Sequence, residues 1–148
     1  MRLVTLLAIA LAVVACGTKP ASLEDINTRL VTLPNGRGIR CEVMTADEDM
    51  MRGMMFRDSL APDRGMLFVH RQPGNYPYWM FQVRIPLDMI WLDGDRKIVE
   101  IAADTPPCRT AARQCPSYGG HSRAQYVLEL AGGMTAKYGL KSGDRLEF

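Results

Sequence analysis

Short apolar segments rich in β-branched residues, separated by clusters of Gly, Pro, Asp and Ser, run through most of this 148-residue chain. Segments of this kind are typical of β-strands, and such clusters are typical of turns. The turn Asp93-Gly94-Asp95 stands between two of these segments, residues 87–92 and 97–102. A β-hairpin is therefore predicted at this point of the chain.

Further strands are predicted on the same grounds over residues 28–33, 38–44, 65–70, 78–83, 125–130 and 144–148. Thr45 is predicted to cap a helix over residues 46–56, and Gly139 to end a short helix over residues 133–138. Residues 105–123 are rich in Pro, Gly and Ser and are predicted to form a loop. Many short strands with two helical interruptions predict a mainly β fold, a β-sandwich or a barrel-like, jelly-roll-like arrangement with one or two short helices.

Length and charge restrict the function further. A chain of this length suits one globular domain. Its 18 Lys and Arg residues against 16 Asp and Glu give a formal charge of +2, and the basic residues are scattered along the sequence. Nucleic-acid-binding proteins instead gather basic residues into a patch or stripe. The composition therefore favours a single domain and no nucleic-acid partner.

The first fifteen residues have the pattern of a signal peptide, because Met1 and Arg2 precede an uncharged run over residues 3–15. As a helix this run would reach about 20 Å, short of the roughly 30 Å of a bilayer core, so a permanent transmembrane helix is disfavoured. The run ends in Val13-Val14-Ala15-Cys16-Gly17, which resembles the lipobox of bacterial lipoprotein precursors. We therefore predict a signal peptide over residues 1–15 and lipidation of Cys16. The alternative is an ordinary secretory signal that happens to end in Cys.

The mature chain is predicted to consist of a small, polar tether over residues 16–26 and a single mostly β domain over residues 27–148. Several acyl chains on Cys16 would anchor it stably to a membrane, whereas one chain binds only marginally. Gly17 after the cysteine, rather than Asp, favours the outer membrane by the sorting habit of similar lipoproteins. The predicted location is the periplasmic side of the bacterial cell envelope.

Two cysteines in the predicted loop, Cys108 and Cys115, are separated by six residues in a chain predicted to enter an oxidising compartment. This spacing and compartment predict a disulfide. A metal pair is the alternative, and it would need further ligands, for which Tyr118 and His121 are nearby. Cys41 lies on the apolar face of its predicted strand, where a free thiol behaves as a small hydrophobic residue.

The chain contains ten methionines, and thioether sulfur suits Cu(I). Met50, Met51, Met54 and Met55 recur at i, i+4 spacing and would align on a helix surface. The same spacing is typical of an adaptable core face, and no His or Cys is interleaved among these residues. Core packing is favoured, and no cofactor is predicted.

Asp88 lies in an otherwise apolar predicted strand, nine residues after Trp79, and the pair could line a pocket with Arg57 or Gln82. The alternative is a structural Asp that accepts backbone N–H bonds. No combination of nucleophile, base or metal ligands emerges from the sequence, so no catalytic residue and no metal site are predicted. The candidate ligand-binding residues are Arg57, Trp79, Gln82, Asp88 and Tyr118.

Several motifs in a fixed order carry a family resemblance: Met51-Arg52-Gly53-Met54-Met55-Phe56-Arg57, Gly65-Met66-Leu67-Phe68, Trp79-Met80, Ile85-Pro86-Leu87-Asp88, Pro107-Cys108, Cys115-Pro116-Ser117-Tyr118 and Tyr126-Val127-Leu128-Glu129-Leu130. Together they resemble the domain of unknown function 192 family over roughly residues 29–148. The resemblance implies a compact, mainly β fold, frequent export as a lipoprotein and no agreed activity. The chain departs from the family at residues 81–84, where Phe-Gln-Val-Arg replaces a usual Lys-Asn-Thr, so a family site built on those residues would have lost its cation and hydroxyl.

These observations favour a non-enzymatic envelope module, held at the membrane by its lipid anchor. It is expected to bind a partner protein, a glycan or a small ligand through residues 79–88 and the loop over residues 108–115. Two alternatives remain open. One is an uncharacterised enzyme that uses Asp88 and Arg57 in a small pocket, and the other is a copper-handling protein.

Overall fold

The computed structural model describes residues 27–148. The predicted signal peptide (residues 1–15), the lipidated Cys16 and the tether (residues 16–26) lie outside the described residues. Within the described range the chain forms eight strands and two short α-helices. The predicted mainly β fold with one or two short helices is confirmed.

The strands are β1 (Thr28–Thr32), β2 (Gly38–Met44), β3 (Arg64–Gly74), β4 (Tyr78–Trp79), β5 (Leu87–Leu92), β6 (Ile98–Thr105), β7 (Ser117–Tyr118) and β8 (Ala124–Ala131). The helices are α1 (Asp47–Arg52) and α2 (Met134–Tyr138), and a 3-10 turn spans Ala112–Gln114. Six strands form one sheet in the order β1-β2-β3-β8-β5-β6, and β4 and β7 form a separate pair. The β2–β3 pair is parallel and the other pairs are antiparallel.

The central strands β5 and β8 carry side chains into both faces of the sheet. Alternate residues of a strand point to opposite faces, so Leu128 and Leu130 enter one half of the core and Val127 the other. Glu129 lies on the Val127 face, where its partners across the neighbouring strands are Met66 and Met89. A carboxyl group therefore stands in the middle of an apolar layer.

The two halves of the core differ in composition. We call the first the aliphatic half-core, whose buried residues include Val31, Leu33, Ile39, Cys41, Leu67, Ile90, Leu92, Ile98, Leu128 and Leu130. We call the second the methionine half-core, whose buried residues include Met54, Met66, Phe68, Met80, Leu87, Met89, Trp91 and Val127, with Met44, Met50 and Met55 at its edge. Methionine packs adaptably because its side chain is unbranched and flexible.

The C-terminal segment joins the two edges of the large sheet. Thr32 of β1 and Glu147 exchange two backbone hydrogen bonds, at 2.7 and 3.0 Å, and Ile98 of β6 donates to the Asp144 carbonyl at 2.8 Å. The predicted strand over residues 144–148 is therefore present as isolated bridges rather than as a regular strand. These bridges close one end of the sheet and make it barrel-like.

Three predictions about helix α1 and strand β4 are wrong: the end of the helix, its N-cap and the end of the strand. Helix α1 ends at Arg52 rather than at residue 56, because Gly53 turns the chain with φ 43°. Its N-cap is Ala46 rather than Thr45, and no side chain caps it. The predicted strand over residues 78–83 stops at Trp79, and the chain turns at Gln82, where φ is 58°.

Other local predictions are confirmed. Strands β5 and β6 form the predicted hairpin, and the Asp93 side chain accepts hydrogen bonds from the backbone N–H groups of Asp95 and Lys97, both at 2.9 Å. Helix α2 ends before Gly139, whose φ of 69° suits glycine. Across residues 27–148, neither helix is long and apolar enough to cross a bilayer.

Candidate functional site

Three exposed apolar side chains surround one open groove. Met51, Phe56 and Trp79 are 76%, 52% and 42% exposed. The groove has a volume of about 410 Å³, and we define the apolar groove by the residues that line it: Met51, Arg52, Met55, Phe56, Trp79, Phe81 and Gln82. A cluster of large exposed apolar side chains is typical of a binding surface, whereas single ones are common everywhere.

The backbone of two groove residues lies in the left-handed region. Phe56 has φ 65° and Gln82 has φ 58°. A non-glycine residue in this region costs roughly 1–2 kcal/mol, and Arg96 and Asp104, outside the groove, also have positive φ. The Phe56 N–H donates to the Gln82 carbonyl at 2.9 Å, so one hydrogen bond joins the two strained residues. This bond holds the turn after α1 against the loop that follows β4.

The predicted disulfide is present and supports one side of the groove. Cys108 and Cys115 are bonded, with an S–S distance of 1.98 Å. On one flank of their loop Cys108 forms a bridge with Phe81, and on the other flank Ser117 pairs with Trp79. The disulfide therefore ties together two segments, one paired with Trp79 in β4 and the other with Phe81 in the loop after β4.

Arginine side chains border the apolar groove. Arg52 lines the groove itself, while Arg84 and Arg109 line an adjoining cavity of about 300 Å³ that shares Phe56 and Gln82 with it. The Arg84 guanidinium lies 5.9 Å from the centre of the Phe56 ring and forms an ion pair with Asp58 at 2.9 Å. The site thus combines an apolar centre with a cationic border.

A buried carboxyl group lies beneath the groove. Glu129 is 3% exposed, and its Oε2 atom has no hydrogen-bond partner within residues 27–148. It lines a cavity of about 30 Å³ that shares Met51, Arg52, Met55 and Trp79 with the apolar groove. Burial raises the pKa of Glu129 to about 8, against the opposing effect of Arg57. At neutral pH this side chain is therefore mostly protonated.

Tyr78 lies beside this carboxyl group. Burial raises the pKa of Tyr78, and the charge of Glu129 raises it further. The Tyr78 hydroxyl lies 3.2 Å from Nε2 of His70, whose ring stacks on Tyr76 with 3.5 Å between ring centres. Burial lowers the pKa of His70. Both partners of the Tyr78–His70 contact are consequently favoured in their neutral forms.

The structure brings two of the five candidate ligand-binding residues together in the apolar groove, Trp79 and Gln82. Tyr118 instead pairs with Tyr78 and packs against the methionine half-core. Arg57 binds both carboxylate oxygens of Glu42 and lines a separate, polar cavity of about 540 Å³. The hydrogen bond from Arg57 is the main reason that the pKa of Glu42 is lowered.

Asp88 is a structural residue rather than a groove residue, which corrects its placement beside Trp79. It is fully buried, and its Oδ1 accepts hydrogen bonds from the backbone N–H groups of Asp104 and Gly133, at 2.7 and 3.0 Å. Its Oδ2 accepts two more from Thr135, at 2.6 and 2.7 Å. Arg57, which the enzymatic alternative pairs with Asp88, binds Glu42 and lines the polar cavity, whereas Asp88 binds groups of β6 and α2.

Sequence reasoning missed Glu129 as a site residue, although a signal was present. Glu129 stands between Leu128 and Leu130 in a strand predicted to be apolar, which is unusual for a charged residue. The exposure of Met51 and Phe56 could not be foreseen, because it depends on where α1 ends. As for metals, residues 27–148 hold no cluster of three or more His, Cys, Asp or Glu placed to bind an ion.

Comparison with known proteins identifies the family. A protein of unknown function from Novosphingobium aromaticivorans has a solved structure with 31% sequence identity and a TM-score of 0.72, and the match covers 82% of this chain and 85% of that one. A protein from Sinorhizobium meliloti, provisionally described as a transcription regulator, matches with 30% identity and a TM-score of 0.69, over 80% of this chain and 89% of that one. Curated proteins gave no match. The sequence profile of DUF192, described as uncharacterized ACR, matches residues 30–148, and the chain belongs to this family.

Proposed function

We propose that this protein is a non-catalytic binding module of the bacterial cell envelope, and that its apolar groove receives a segment of a partner protein. The observation that carries the proposal is the exposure of Met51, Phe56 and Trp79 around one groove whose backbone is strained at Phe56 and Gln82. Aromatic residues, methionine and arginine are the types enriched at protein interfaces. A partner segment suited to this surface has an apolar side chain for the groove and acidic residues for its arginine border.

A protein partner fits the groove better than a glycan. The groove is open and lined mainly by apolar side chains, and Arg52 and Gln82 are its polar ones. Sugars carry many hydroxyl groups that need hydrogen-bond partners when they are buried. An apolar side chain of a peptide needs none, and two methionines in the wall can adapt to its shape.

A non-catalytic role is supported by how the acidic and basic groups of this region are used. The carboxylate of Asp88 holds α2, and Arg57 holds Glu42. Glu129 faces a cavity of about 30 Å³, which is far smaller than the ligand-sized sites of several hundred Å³ in which substrates are bound. The groove itself is lined mainly by large apolar side chains.

The envelope location is proposed from the sequence and from the disulfide. The lipobox-like segment at residues 13–17 would lead to the addition of two or three acyl chains to Cys16. The domain would then lie on the periplasmic side, at the outer membrane. The Cys108–Cys115 bond suits an oxidising compartment. Intact mass of the protein purified from membranes tests the anchor, since acylation must accompany loss of residues 1–15. A full-length, unmodified chain would contradict it.

The groove can be tested with a peptide probe and the fluorescence of Trp79. Trp91 is the chain's second tryptophan and is fully buried, so a spectral change on titration reports Trp79. We expect short peptides with a Leu-Phe centre between pairs of acidic residues to shift this emission saturably. Peptides with lysines in place of the acidic residues should bind at least about tenfold more weakly.

Matched alanine variants separate the groove from general surface effects. Because Trp79→Ala lacks the fluorescent reporter, the variants are compared with the unaltered protein by isothermal titration calorimetry. Trp79→Ala and Phe56→Ala should weaken binding about tenfold or more, as truncation of an aromatic anchor does. Leu30→Ala is the control, because Leu30 is also a large exposed apolar residue, at 55%, but lies in β1. Equal losses in all three variants, or no saturable binding of the acidic peptide to the unaltered protein, would reject the groove as the binding site.

A further inference from the structure

Four methionines converge on the small cavity beneath the apolar groove. Met50, Met51, Met54 and Met55 all line it, together with Trp79 and Glu129. Helix α1 supplies the first pair, and the turn that begins at Gly53 supplies the second. Both pairs reach the same space because the helix stops between them. The cavity of about 30 Å³ has room for one or two water-sized groups, and therefore for a single ion.

We propose that this cavity is a binding site for one Cu(I) ion, held by methionine thioethers with Glu129 as its counter-charge. Thioether sulfur is a soft, neutral donor that favours Cu(I), whereas Mg²⁺, Ca²⁺ and Mn²⁺ prefer oxygen ligands. Among the residues that line the cavity, Glu129 is the one with a carboxylate. A hard divalent ion, which takes six or more oxygen ligands, would find too few here.

The buried carboxyl group is a second and independent indication of an ion. Glu129 lies almost completely out of water, and its Oε2 lacks a hydrogen-bond partner in the described part of the chain. A buried polar atom of this kind is costly unless a partner satisfies it. Its cross-strand neighbours are Met66 and Met89, which offer no donor. A bound cation would supply the missing partner.

The other charged groups near the cavity do not cancel this carboxylate. Arg57 affects Glu129 through its charge, but its guanidinium is engaged by both oxygens of Glu42. Arg52 lines the cavity, but it is exposed, so water screens its charge. Tyr78 is favoured in its neutral form. Cu(I) binding would release the carboxyl proton of Glu129 to solvent, and the resulting single carboxylate balances the charge of one monovalent ion.

The copper site shares Met51, Arg52, Met55 and Trp79 with the apolar groove, but its test is independent of the proposed protein-binding function because copper binding needs no partner protein. It is tested on the protein purified from whichever cell fraction contains it, with ascorbate as reductant and with bicinchoninate as a coloured competitor for Cu(I). Alkylation before and after the titration verifies that the Cys108–Cys115 bond is intact, so that no free pair of thiols binds copper. We expect the protein to withdraw one Cu(I) per chain from the competitor.

Two double variants identify the ligands. Met50→Leu with Met54→Leu, and Met51→Leu with Met55→Leu, remove sulfur while keeping side-chain volume. Each should weaken Cu(I) binding about tenfold or more. Met134→Leu is the matched control, because Met134 packs against the aliphatic half-core, and it should bind like the unaltered protein. Glu129→Gln keeps the shape of the side chain and removes its charge, and it should also weaken binding.

X-ray absorption of the unaltered, copper-loaded protein keeps the test decisive if a double variant does not fold. Sulfur as the nearest neighbour of copper is the expected result. Nearest neighbours that are oxygen or nitrogen alone would overturn the proposal. So would failure of the protein to compete with bicinchoninate, or binding that neither folded double variant weakens.

Discussion

Thr135 donates two hydrogen bonds to one oxygen of Asp88, which lies 47 residues before it in the chain. Its backbone N–H reaches Oδ2 at 2.6 Å and its hydroxyl at 2.7 Å. Helix α2 has no side-chain cap of its own. Asp88 of strand β5 instead accepts the N-terminal hydrogen bonds that a capping residue next to the helix would accept. The remaining oxygen binds Gly133 and Asp104, and the carboxylate thereby joins β5, β6 and α2.

Replacing Asp88 by Asn should lower the free energy of unfolding by about 2–4 kcal/mol, because the amide turns a donor toward groups that are all donors. Thr135→Val removes the hydroxyl alone and should cost about 1–2 kcal/mol. Urea unfolding followed by circular dichroism measures both. Peptide binding by the folded Asp88→Asn variant should be unchanged, and a variant as stable as the unaltered protein would show that the carboxylate does not hold α2.

The contribution of Glu129 to the stability of the metal-free protein should fall as pH rises, because Glu129 has a pKa of about 8 in the folded chain against an ordinary value of 4.5. Below pH 4.5 both states hold the proton and stability is complete. Between these values the unfolded chain releases the proton first, so the free energy of unfolding decreases by at most about 1.4 kcal/mol per pH unit. Above about pH 8 the loss is complete.

Urea midpoints measured across this range test the effect, and Glu129→Gln is its control. Because Gln does not titrate, the difference in stability between the two proteins should follow the same pH window. Arg57 opposes the effect of burial on the pKa of Glu129, so it narrows the pH window of the effect rather than changing its slope. Parallel pH profiles for the two proteins would show that Glu129 is not buried as described.

Removing the disulfide should loosen the groove as well as the loop. The bond closes a short loop, with a sequence separation of 7, which corresponds to about 2.5 kcal/mol in the chain-entropy model. Cys108→Ser with Cys115→Ser should lower stability by about this amount. Because the two flanks of the loop hold two groove residues, Phe81 and Trp79, the acidic peptide should also bind more weakly. Unchanged peptide affinity in the folded variant would show that the groove does not depend on the loop.

Cys41 should resist alkylation in the native protein. It is fully buried in the aliphatic half-core, and burial raises its pKa to about 12. At pH 8 only about one thiol in 10,000 is the reactive thiolate. Mass spectrometry of residues 27–148 should find no adduct in native buffer, one in urea, and three after reduction in urea. A native adduct on Cys41 would contradict its burial.

Much of the fold could be predicted because local chemistry determines it. The β5–β6 hairpin follows from Asp93, whose side chain bonds two N–H groups within its own turn. The β4–β7 pair could not be predicted, because Tyr78 lies opposite Tyr118, forty residues away, and each strand has two residues. Strands so short have no periodicity to detect.

The different roles of Asp88 and Glu129 could not be predicted from the sequence. Asp88 and Glu129 look alike in sequence, since each is an acid within an apolar strand. Asp88 receives its donors from Thr135 and Gly133, which reach it only after α2 has packed. Glu129 faces methionines that offer no donor. Which acid is structural and which is unpartnered depends on long-range packing, so the roles of the two could not be assigned in advance.

The unequal composition of the two half-cores also determines how the protein responds to oxidants. The hydrocarbon side chains of the aliphatic half-core are inert to peroxide, whereas a thioether becomes a polar sulfoxide. Met51 is 76% exposed at the rim of the groove, while Met54, Met66 and Met89 are sealed inside. Oxidative damage should therefore begin at the proposed binding surface, and the groove would become polar while the closed end of the sheet remained intact.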